Sequence, residues 1–92
     1  MNILDFRTPG ELGDIIASNL RAQRKRRKIS LKRLAEMSGV SYGSLRRFES
    51  MGEISLTSLL KVAIVLDCSE QFRQLFSENE PLSIKEIIDG KL

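Results

Sequence analysis

Hydroxyl-bearing residues punctuate this chain at short intervals, each just ahead of a few apolar residues at helical spacing. Thr8, Ser30, Ser41, Ser55 and Ser69 all stand where a helix N-cap is wanted. A side-chain oxygen there accepts a backbone N–H that the first helical turn leaves unpaired. The pattern commits the chain to a succession of short helices. No segment alternates apolar and polar residues with period two, and no Asn-Gly or Asp-Gly turn separates two apolar alternations. The expected fold class is all-α.

Thr8-Pro9-Gly10-Glu11 opens the first helix, with Thr8 as cap, Pro9 at the first helical position and Glu11 completing a capping box. Leu12, Ile15, Ile16 and Leu20 form its expected inner stripe, and it should run to about Arg27. Ser30 opens a second helix with Leu31, Leu34 and Ala35 inward, ending near Met37 ahead of Gly39. Ser41 opens a third, anchored by Leu45 and Phe48 and ending near Gly52. Ser55 opens a fourth with Leu56, Leu59, Leu60, Ala63, Ile64 and Leu66 inward, and Ser69 a fifth with Phe72, Leu75 and Phe76. After a loop at Glu78-Asn79-Glu80-Pro81, a second capping box, Ser83-Ile84-Lys85-Glu86, should open a short C-terminal helix that Gly90 stops. Five helices plus this last one fit one domain over residues 1–92.

Composition excludes several classes. The longest unbroken apolar run is Val62 to Leu66, far short of the roughly 20 residues a bilayer crossing needs. Met1 to Gly10 has no apolar core and does not read as a signal peptide. A single cysteine, Cys68, makes no internal disulfide, and without histidine it builds no zinc site and no Ser-His or Cys-His catalytic pair. There is no phosphate loop of the GxxxxGK type. The expectation is a cytoplasmic non-enzyme that uses no metal and no cofactor.

Charge is segregated. Residues 21–47 hold ten Lys/Arg and one acid, Glu36, a net of +9 that leaves −6 for the rest of a chain whose total is +3. A solvated basic face is the plain explanation of a short cluster. Segregation on this scale points instead to a polyanionic partner. Between the second and third helices, Gly39 can take a positive φ at no steric cost, Val40 plugs the corner, and Ala35 lets the helices cross closely. This is helix-turn-helix chemistry. It frees the outer face of the third helix, which carries Tyr42, Gly43, Arg46, Arg47 and Ser50.

With those residues in view, the chain resembles the Xre/Cro/cI-type helix-turn-helix repressors of phage and bacteria. The resemblance rests on Arg21 and Arg24, Ser30, Leu34-Ala35, Gly39-Val40-Ser41, Leu45, Phe48-Glu49, Gly52, and the Leu59, Leu60, Ala63-to-Leu66 helix. It covers residues 12–68 and leaves 69–92 as a C-terminal helical extension. It implies a compact five-helix, lambda-repressor-like domain that binds double-stranded DNA, as a homodimer on a palindromic operator, through a recognition helix at about 41–51.

Carried over residue by residue, the resemblance implies a mostly buried structural ion pair between Arg24 and Glu49. It places Tyr42, Gly43 and Arg47 at base-reading positions, with Arg46 exposed beside them. Ser30, Ser41 and Ser44 fall at positions near the DNA backbone, and Lys32 could touch a phosphate. Three departures stand out. Leu31 replaces a family Gln that touches a phosphate, Met51 lengthens the turn after the Glu by one residue, and Gly43 leaves one reading position without a side chain. In size and layout the chain is also similar to antitoxins that pair with a Hip-type toxin kinase. That gives a second expectation, in which binding a partner protein is the main task. The amphipathic region from Phe72 to Leu92 would serve as a lid on the core or as a dimer seam. RNA reading is disfavoured, because the five aromatics include four Phe that look like core and leave no stacking surface.

Overall fold

The structure is a computed structural model, and it describes residues 8–77. Five helices follow in order: α1 (Pro9–Arg26), α2 (Leu31–Ser38), α3 (Tyr42–Met51), α4 (Leu56–Val65) and α5 (Ser69–Arg73). No strand occurs among the described residues. The loop at 78–81 and the terminal helix from Ser83 to Gly90 lie outside them.

Four of the five caps form as chemistry dictates. The backbone N–H groups of Glu11, Arg33, Ser44 and Ser58 donate to the hydroxyls of Thr8, Ser30, Ser41 and Ser55 at 3.0–3.1 Å. The fifth is a correction. Ser69 is the first residue of α5, and the cap position falls to Cys68, which makes no side-chain cap bond. The exit from α4 explains the shift. Asp67 takes a left-handed φ of 57°, and the Cys68 N–H closes back onto the Ala63 carbonyl at 2.7 Å. This tight reversal buries Cys68 at the core edge, so the turn ends one residue early. Lys28 (φ 55°) closes α1 in the same way, with the Ile29 N–H donating to the Arg24 carbonyl at 3.2 Å.

The core consists of Ala17 and Leu20 from α1, Leu34 from α2, Val40 at the corner, Leu45 and Phe48 from α3, Val62 and Ala63 from α4, and Leu66 and Cys68 after it. α1 packs on α3, α2 on both α3 and α4, and α4 on α5. Full burial of each large apolar side chain contributes about 1.5–3 kcal/mol.

Several expected inward residues face out. Leu12, Ile15 and Ile16 on α1 are exposed, as are Leu56, Leu60 and Ile64 on α4, and Leu75 and Phe76 beyond α5. The packed face of α1 is instead Gly13, Ala17, Leu20 and Arg24, spaced 4, 3 and 4 residues apart. The packing reason is backbone contact. A Cβ on Gly13 would stand 2.6 Å from the Gly52 carbonyl oxygen, so α1 and the end of α3 touch main chain to main chain. Larger side chains on that face of α1 would hold the helices apart. On α4 the buried pair is Val62 and Ala63, followed by Leu66 just past its end, with Leu59 partly covered.

Candidate nucleic-acid interface

The mount is built first. α2 ends at Gly39, whose φ of 74° sets the left-handed cap while its N–H reaches the Ala35 carbonyl at 2.9 Å. The Ser38 hydroxyl accepts the Val40 N–H at 3.2 Å, and Val40 buries to plug the corner. Leu34, Leu45 and Phe48, each no more than 3% exposed, then clamp α3 by its inner side. With that side fixed, the outer side has one orientation.

Tyr42, Gly43, Arg46, Arg47 and Ser50 are all exposed on it. Neither arginine turns inward. A Cβ on Gly43 would meet nothing within 4 Å, so this position opens directly to solvent. At the start of α3, the Ser41 hydroxyl donates to the Ser44 hydroxyl at 2.8 Å while accepting the Ser44 N–H. Ser30 and Lys32 are exposed at the start of α2, where Ser30 also serves as the cap.

Behind α3, Arg24 and Glu49 form a bidentate pair. Arg24 Nε donates to Glu49 Oε2 at 2.8 Å and Nη2 to Oε1 at 2.9 Å, while Nη1 donates to the Ile29 carbonyl at 2.9 Å. The two side chains are only 12% and 16% exposed. Arg21 stands 3.8 Å from the same carboxylate. The pair ties the end of α1 to the back of α3.

One partner escaped the sequence reading. Arg47 donates from Nε and Nη2 to a single oxygen of Glu53, at 3.1 and 2.6 Å. A signal was present: Gly52 reverses the chain after α3, which returns the next residue alongside the helix's last turn. Ile29, whose carbonyl anchors Arg24, and Gly13 were also missed, since neither carries a side-chain chemistry that sequence patterns weigh.

Two short helices braced at a glycine corner, the second with an exposed and partly basic outer face, define a helix-turn-helix DNA-binding protein. The helix-turn-helix family profile matches residues 20–72, more than half of the chain. The chain belongs to this family, of the Xre/Cro/cI type, and is lambda-repressor-like in fold. No curated protein matches it. The family binds DNA sequence-specifically in transcription regulation, and it is not a family of enzymes. No described helix is long and apolar enough to cross a membrane.

Proposed function

We propose that this protein is a small cytoplasmic transcriptional repressor that binds a palindromic operator as a homodimer, with α3 in the major groove. The observation that carries the reading is the rigid presentation of two adjacent, exposed guanidinium groups, Arg46 and Arg47, on a helix clamped by Leu34, Leu45 and Phe48. Arg47 offers a fork to guanine O6 and N7, worth about 1–3 kcal/mol of discrimination. Arg46 reaches a base or a phosphate, and Tyr42 packs on a thymine methyl or bonds a phosphate. Gly43 lets the backbone approach the groove closely. Ser30, Lys32, Ser41 and Ser44 lie at the starts of α2 and α3, where unpaired amides favour phosphate. Residues 12–68 form the binding core, and 69–92 an extension to it.

The test is selection of bound sites from a pool of random duplexes by the full chain. Enrichment of a two-fold-symmetric site with guanine at a fixed place in each half is the expected result. Recovery of a pool no different from the input would overturn the reading.

A second reading, an antitoxin that holds a Hip-type toxin kinase and represses its own operon, draws support from the apolar surface. Leu12, Ile15 and Ile16 are exposed beside a recess of about 220 Å³ between α1 and α5, lined in part by Ile16, Leu20, Phe72 and Leu75. An exposed patch of this kind suits a protein contact. Ile16→Asp separates the two readings. Loss of dimer in the purified protein assigns the patch to a second copy. An unchanged dimer that no longer co-purifies with a kinase encoded beside it assigns the patch to that partner.

A further inference from the structure

We propose that Glu53 is a specificity-determining residue of the DNA-reading face: it aims the Arg47 guanidinium at a base edge and disfavours its use on backbone phosphate. The proposal rests on the reading of α3 as the base-reading helix.

The geometry of the pair carries the first half. Both hydrogen bonds leave Arg47 along one edge of the guanidinium, from Nε and Nη2, and both end on Glu53 Oε2. A guanidinium has five N–H groups in a planar fork. Glu53 takes two and leaves three, among them one each on Nη1 and Nη2 at the far end. That far-end pair suits the two acceptors of guanine. Glu53 thus restricts the swing of a long side chain while sparing the donors that read.

The mount carries the second half. Glu53 follows Gly52, whose φ is 71° and whose Cα lies so close to α1 that an added Cβ would stand 2.6 Å from the Gly13 carbonyl carbon and 2.7 Å from the Asp14 nitrogen. The backbone that carries Glu53 is therefore wedged in place. Yet the pair itself is open to water, with Arg47 63% and Glu53 58% exposed. An ion pair that exposed contributes little to folding. A rigid mount under a weak pair makes sense if direction, rather than stability, is what the pair supplies.

Charge gives Glu53 its discriminating effect. A carboxylate beside α3 repels the phosphates of any duplex and cancels part of the Arg47 charge. That cost falls on every sequence alike. Only a duplex that offers guanine to the aimed fork recovers it, so affinity for random DNA drops more than affinity for the cognate site. A carboxylate that did not aim the guanidinium would repel every duplex equally and leave the sequence preference unchanged.

The test compares wild type, Glu53→Gln, Arg47→Ala and the double variant, all as full chains. Each is run through selection from one pool of random duplexes and titrated against one fixed, unselected duplex at a single salt concentration. Gln is nearly isosteric with Glu, and position 53 is exposed, so thermal unfolding should match wild type. E53Q is expected to bind the unselected duplex about threefold to tenfold more tightly. It should also lose enrichment at the position that Arg47 reads. In the Arg47→Ala background, E53Q should leave the enrichment profile unchanged, because the side chain it aims is gone. If E53Q keeps the wild-type profile, or shifts it equally with and without Arg47, the proposal is overturned while the reading of α3 stands. If wild type enriches no sequence, both fall together.

Discussion

Arg24 and Arg47 are each held by one carboxylate, and burial separates what the two pairs do. The Arg24–Glu49 pair is shielded, bidentate and braced by the Ile29 carbonyl. Removing either partner strands a charge that has little water to turn to. Arg24→Ala or Glu49→Ala should cost about 3 kcal/mol, toward the lower end for buried pairs. Denaturant titration of the two single variants and the double variant checks it: the double should cost much less than the sum. The exposed side chains of Arg47 on α3 and Lys32 on α2 should leave folding almost untouched and change binding instead. Arg47→Ala is expected to relax preference at one guanine position by about 1–3 kcal/mol. Lys32→Ala should weaken binding on all sequences alike and reduce the salt slope by about 1. Competition titrations on the selected duplex and a scrambled one distinguish these outcomes. Equal losses on both duplexes for both variants would refute the division of roles.

At the scale of elements, the contact between Gly13 and Gly52 sets how α3 is seated. Gly13→Ala forces a methyl to within 2.6 Å of a carbonyl oxygen that has no flexible side chain to move aside. The helices must part, at a cost of about 1–3 kcal/mol. The expected result is a lower melting temperature together with weaker DNA binding, since α3 moves with the contact. Gly43→Ala gives the opposite sign for folding. Its Cβ meets open space, and in the first turn of α3 the gain in helix propensity is a fraction of the roughly 1 kcal/mol of a helix interior. If close approach to the groove is what Gly43 supplies, this variant should melt higher and bind more weakly, as thermal unfolding and titration of one sample would show. The same glycines explain how much could be read in advance. Caps are legible because a Ser or Thr oxygen declares itself three residues ahead of the amide it serves, and Thr8, Ser30, Ser41 and Ser55 all do. The Gly39 corner is legible for the same local reason. The inner face of α1 is not. Its packing residues are Gly13, Ala17 and Arg24 around the single Leu20, a set with almost no hydrophobic contrast. Leu12, Ile15 and Ile16, roughly a quarter-turn or more round the helix, have plenty. Periodicity finds the greasiest face, whereas this helix packs its smallest one. Glu53 was hidden for a different reason, because its partner is reached only through the reversal at Gly52.

For the whole molecule, the decisive quantity is how charge is distributed rather than its sum. A total of +3 spread evenly over the surface would attract a duplex weakly and from any side. Here the stretch 21–47, which runs from the end of α1 through the glycine corner into α3, carries +9 in sequence, and counting Glu49 and Glu53, which fold back onto Arg24 and Arg47, it still carries +7 against −4 for the rest. Each phosphate neutralised by that stretch releases condensed counterion, with a slope near −0.9 per contact on B-DNA. With about four to six phosphates met per half-site, the logarithm of the binding constant should fall with the logarithm of salt at roughly −4 to −5 per half-site. A two-fold dimer doubles that slope on a full operator, and it places the half-sites about 34–36 Å apart, one helical turn. Titrations at several salt concentrations on a duplex bearing one half-site and on a duplex bearing two check both statements together. A shallow slope on either duplex would remove the basic stretch as the binding surface. A full-operator slope equal to the half-site slope would leave that surface in place and remove the dimer.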